Sequence, residues 1–66
     1  MTRLESRMRD ALEGNEREVL DRYNAEIAAE QERKHLSHNA FVRQCCDQQI
    51  ERLRREKQRI QAATVD

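Results

Sequence analysis

His35-Leu36-Ser37-His38-Asn39 decides whether this chain is a rod or a hairpin. The segment gathers poor helix formers near the middle of the sequence, and a turn here would fold the chain into two helical arms of about equal length. Neither Gly nor Pro stands within it, however. The whole 66-residue chain has no proline, and its single glycine is Gly14. The spacing therefore predicts that the helix runs on through residues 35–39.

Outward from this segment the pattern is uniform. Charged residues make up 39% and hydrophobic residues 36%, with Tyr23 and Phe41 as the aromatics, a balance that fits long helices better than a compact core. The polar positions are filled by Glu, Arg, Gln and Ala, which are strong helix formers, and not by the Pro, Ser and Gly of disordered chains. Thr2 followed by Glu5 has the spacing of a capping box, placing the start at residue 2 or 3. An all-α chain with one helix over about residues 3–63 is the expectation, roughly 90 Å long at ~1.5 Å per residue. Gly14-Asn15, with Glu18 three residues on, is the other candidate interruption. It would detach a first segment too short to hold its helix alone, so the helix is expected to pass through it.

A lone helix of this kind cannot bury its apolar stripe, so a coiled-coil homodimer or higher oligomer is expected. One heptad frame serves both ends, with Met1, Met8 and Ile50 at a positions and Leu4, Ala11, Cys46, Leu53 and Ile60 at d positions. Between them the frame would bury Asn15, Glu18, Arg22, Glu32, Asn39 and Arg43. A period near 11 residues fits the middle better, as in Met8 and Val19 or Leu12 and Tyr23, and implies local unwinding of the coil. The predicted oligomer seam is Leu4, Met8, Leu12, Val19, Tyr23, Ile27, His38, Val42, Cys46, Ile50, Leu53 and Ile60, weakest between Ile27 and Phe41. Acid-before-base pairs four residues apart, such as Glu5 with Arg9, Glu30 with Lys34 and Glu51 with Arg55, add helicity along its flanks.

Charge is unevenly divided. Residues 1–33 hold six arginines against nine acids, net −3, and residues 34–66 hold seven bases against four acids, net +3. Antiparallel copies would set opposite halves together, so antiparallel pairing is slightly preferred over parallel. The basic cluster Arg52, Arg54, Arg55, Lys57 and Arg59 is a candidate partner-binding face for an acidic filament such as a microtubule. With zero net charge and no interleaved aromatics, nucleic acid is not the expected partner.

Other chemistry finds little support. His35 and His38 share a helix face in the continuous rod, but Cys45 lies seven residues beyond His38, too far along one helix to close a zinc site. Adjacent Cys45 and Cys46 do not form a disulfide scaffold and are expected to be reduced thiols. No glycine-rich phosphate loop or oriented catalytic set occurs, so neither enzymatic activity nor a cofactor is expected. No apolar run is long enough to span a membrane, and a cytoplasmic location is expected. The chain reads as a coiled-coil segment spanning 1–66, a piece of a longer scaffold, cytoskeletal or motor-associated protein, acting as a structural oligomerisation module.

Overall fold

A computed structural model describes residues 2–64, leaving Met1, the first a position of the heptad frame, outside the described residues. All regular structure among these residues is helical: α1 spans Arg3–Asp10, α2 Glu16–Leu36 and α3 Ala40–Thr64, with a wide, π-type turn at Ala11–Asn15 between the first two. The continuous helix expected over 3–63 is therefore replaced by three helices. The molecule measures 42 × 20 × 18 Å, about half the length of the expected rod.

The turn between α2 and α3 is made by side chains in place of glycine. Ser37 leaves the helix in an extended conformation, with φ −92° and ψ 136°. Its hydroxyl accepts a hydrogen bond from the Asn39 amide at 3.2 Å, and Asn39 Oδ1 accepts from the amides of Phe41 at 2.9 Å and Val42 at 3.4 Å. Asn39 thus caps the open amides at the head of α3, the role in which Asn is among the best residues. Arg33, Lys34 and His35 occupy the last turn of α2, where positive charge meets the negative end of the helix dipole. Ser and Asn are weak helix formers because they make such local bonds to the backbone, and the same bonds build this turn.

Gly14 makes the other break. Its φ of 100° lies in the left-handed region that a residue with a Cβ enters at a cost, and it is the one positive φ among the described residues. The short helix so detached gains stability by packing on the other two. Its own start follows the sequence reading: the Thr2 hydroxyl accepts from the Glu5 amide at 3.2 Å. That hydroxyl donates to the Glu5 carboxylate at 3.0 Å.

Two cross-links fix α2 and α3 as antiparallel neighbours. Lys34 meets Asp47 at 2.6 Å, and ten residues earlier on α2, Asn24 meets Lys57, ten residues later on α3, at 2.7 Å. Between the helices lies a core of Ala11, Val19, Tyr23, Ile27, Ile50, Leu53 and Ile60, with Leu4, Met8 and Leu20 packed against it. The failure of a single heptad frame now has a physical cause. Each break resets the helical phase, so α1, α2 and α3 each turn their own stripe inward, and the weak stretch between Ile27 and Phe41 is where the chain reverses.

Candidate interaction surfaces

The predicted seam residues are brought together inside one chain. Val19, Tyr23, Ile27, Cys46, Ile50, Leu53 and Ile60 are buried, and Leu4, Met8 and Val42 are half-buried. His38 and Leu12 are exposed: His38 sits in the reversal, and Leu12 sits in the turn before Gly14. The reversal likewise sets α2, net acidic, beside α3, net basic, although the ion pair that joins them runs from a base of α2, Lys34, to an acid of α3, Asp47.

A charged hub that the sequence reading did not identify ties α1 to the hairpin. The Arg7 guanidinium lies 4.4 Å from the centre of the Tyr23 ring and donates to both carboxylate oxygens of Glu26, at 2.5 and 3.0 Å. Arg3 adds contacts to Glu26 at 3.8 Å and to Glu56 at 3.5 Å, and Glu56 also meets Arg52 at 3.8 Å. The hydrogen bond from Arg7, with the positive charges of Arg7, Arg3 and Arg22, holds the Glu26 carboxyl below the usual carboxylate range. Burial pushes the Tyr23 phenol up. One sequence signal for the hub existed. Arg3 and Arg7 are like charges four residues apart on a helix, an arrangement that repels unless acids elsewhere hold it.

Three large apolar side chains remain outside the core: Leu12 is 62% exposed, Leu36 69% and Phe41 73%. Leu36 and Phe41 flank the reversal. Leu12, at the opposite end, lines a groove of about 470 Å³ with Leu4 and Met8. The rim of that groove mixes charges, with Glu5, Arg9 and Glu13 from the N-terminal segment and Arg59 from α3.

The basic cluster does not form one patch. Arg52, Arg55 and Arg59 repeat at three- and four-residue spacing along one exposed stripe of α3. Arg54 and Lys57 instead line a second groove with Asn24 and Ile27. Arg55 is paired with Glu51 at 2.5 Å, as the sequence spacing predicts, whereas Lys34 pairs with Asp47 and leaves Glu30 to Arg33.

The thiol and imidazole groups are also separated. Cys46 is buried and its thiol is pushed up, first by burial and then by the neighbouring Glu30 carboxylate, which disfavours the reactive thiolate. His35 lies in the last turn of α2 while His38 is in the reversal, so they do not share a helix face. Among the described residues no group of three or more His, Cys, Asp or Glu gathers to hold a metal ion, and no helix is long and apolar enough to cross a membrane. Comparison with protein-family models, curated proteins and solved structures finds no match to this chain.

Proposed function

We propose that this chain is a non-catalytic helical oligomerisation module that associates with further copies of itself and so sets the spacing of other segments in a scaffold, cytoskeletal or motor-associated assembly. The observation that carries the reading is the apolar surface left over after folding. Leu12, Leu36 and Phe41 stay largely exposed in a chain whose core is small. Chains of this size bury too little of their surface to be comfortably stable alone, and association is a common remedy. Because acidic and basic halves already meet within each copy, charge no longer selects antiparallel over parallel association.

Sedimentation equilibrium across a wide concentration range tests this reading. Reversible self-association is expected, weakened by Leu12→Ser or by Leu36→Ser with Phe41→Ser. A fully helical chain that stays monomeric at every concentration would exclude it.

A second reading is favoured by the exposed stripe of Arg52, Arg55 and Arg59, which would dock the module on an acidic filament such as a microtubule. Salt-sensitive co-sedimentation with microtubules, abolished by Arg55→Glu with Arg59→Glu, is the outcome that supports it. No pelleting at low salt rules it out.

A further inference from the structure

The geometry points to exchange of α1 between two copies of the chain: the turn at Gly14 straightens, Arg3–Leu36 becomes one helix, and each α1 takes the seat on the partner's hairpin that it occupies on its own. This deepens the oligomerisation reading and rests on it.

The hinge is minimal. Asp10, Ala11 and Glu16 already have right-handed helical backbone angles, and the departure is concentrated at Gly14, with φ 100° and ψ 5°, and at Asn15, with φ −100° and ψ 25°. No side-chain cap bond from Asn15 holds the turn among the described residues. A Cβ built at Gly14 would meet nothing within 4 Å, so backbone conformation alone keeps a larger residue out.

The seat is chemically specific, and a second copy presents the same one. Glu26 and Tyr23 receive Arg7, Glu56 receives Arg3, and Ala11 is buried, with 4% exposure. Exchange preserves each of these contacts, which is why swapping an identical element is a low-cost route to a dimer.

The sequence also carries a stripe that the closed chain covers except at Leu12. On a straight helix Met8, Leu12, Val19 and Tyr23 fall on one face, at spacings of four and eleven residues. In the closed form Val19 and Tyr23 are buried while Leu12 is 62% exposed, because the turn at Gly14 rotates it away from them. Straightening returns Leu12 to the face that Val19 and Tyr23 already bury.

Two variants test the exchange in the full chain. Gly14→Ala penalises the left-handed turn and favours the straight helix, in both chains of a dimer, so the dimer Kd should fall about a hundredfold or more. Gly14→Asn, which tolerates the left-handed region, should stay close to wild type. Circular dichroism verifies that each variant is helical. The second test mixes an Arg7→Glu chain with a Glu26→Arg chain. Each alone sets like charges in the seat, whereas an exchanged heterodimer pairs opposite charges in both seats, so native mass spectrometry should show heterodimer well above the statistical share. A statistical mixture of dimers overturns the exchange and leaves self-association through another face intact. Failure of wild type and Gly14→Ala alike to dimerise overturns both.

Discussion

Arg7 and Glu26 join the shortest helix to the hairpin through a two-point contact, the guanidinium donating to both carboxylate oxygens while its central carbon lies over the Tyr23 ring. The Arg7 side chain is 12% exposed, so this contact is partly shielded from water, unlike the ion pair of Arg55 and Glu51, at 73% and 63%. Surface pairs contribute little because solvent screens them, but a paired, stacked arginine keeps more of its interaction. The helix most dependent on tertiary support is thus held by the best-shielded charge contact among the described ion pairs.

Arg7→Ala is expected to destabilise the fold by about 1–2 kcal/mol, through loss of the forked pair and of the stacking on Tyr23. Arg7→Lys should recover only part of this, since an ammonium cannot donate as a planar fork. Urea denaturation followed by circular dichroism measures both. If Arg7→Ala unfolds at the wild-type midpoint, the hub does not hold α1.

Acid should weaken the molecule through Glu26. Its folded pKa lies below its unfolded value, so between the two the unfolded chain binds more protons and stability rises with pH. The stabilisation is present above the ordinary glutamate range, near pH ~4.3, and is lost as pH falls through the lowered folded value. Urea midpoints at several pH values from about 6 down to 3 should show a smaller acid-side loss in Glu26→Gln than in wild type. Equal slopes in the two proteins would contradict the assignment.

The inward positions were legible in the sequence, but what they pack against was not. Val19, Tyr23, Ile27, Ile50, Leu53 and Ile60 could be read as one apolar stripe because helical spacing exposes a buried face whatever covers it. Whether a second copy or the same chain covers it depends on two local turns. Local reasoning disfavours the first because a short helix is unstable alone, an objection that lapses once Arg7 and Ala11 dock on the hairpin. The second was hidden because Ser37 and Asn39 perform the work expected of Gly or Pro through side-chain bonds. The hub was least visible of all, since Arg7 and Glu26 are 19 positions apart and nothing in local spacing pairs them.

Asn39 should therefore be the most sensitive polar residue of the reversal. Asn39→Ala leaves the amides of Phe41 and Val42 without their side-chain acceptor and is expected to cost about 1 kcal/mol. Asn39→Asp and Asn39→Ser should come close to wild type, since both keep a capping oxygen. Thermal melts of the three variants provide the comparison, and equal melting for all three would show that the cap does not hold the turn.

Tyr23 should tolerate loss of its hydroxyl although its ring should not tolerate loss. The residue is 0% exposed, and its hydroxyl is buried without a hydrogen-bond partner among the described residues. An unpaired buried hydroxyl is a desolvated group that returns nothing, so removing it while keeping the ring is close to neutral or favourable. Tyr23→Phe is thus expected within about 0.5 kcal/mol of wild type, or above it, whereas Tyr23→Ala removes a core ring and should cost about 3–5 kcal/mol, enough to unfold a chain of this size. The same substitution has an alkaline signature. Burial raises the folded pKa of Tyr23 above its unfolded value, so its stabilisation is complete below that value, near ~10, and is lost as pH rises through the folded one. Cys46, raised for the same reason, contributes with the same sign. Between about pH 8 and 11, Tyr23→Phe should therefore lose less stability than wild type without becoming flat. A steeper alkaline loss in Tyr23→Phe would mean that the phenol is not the group that burial holds protonated.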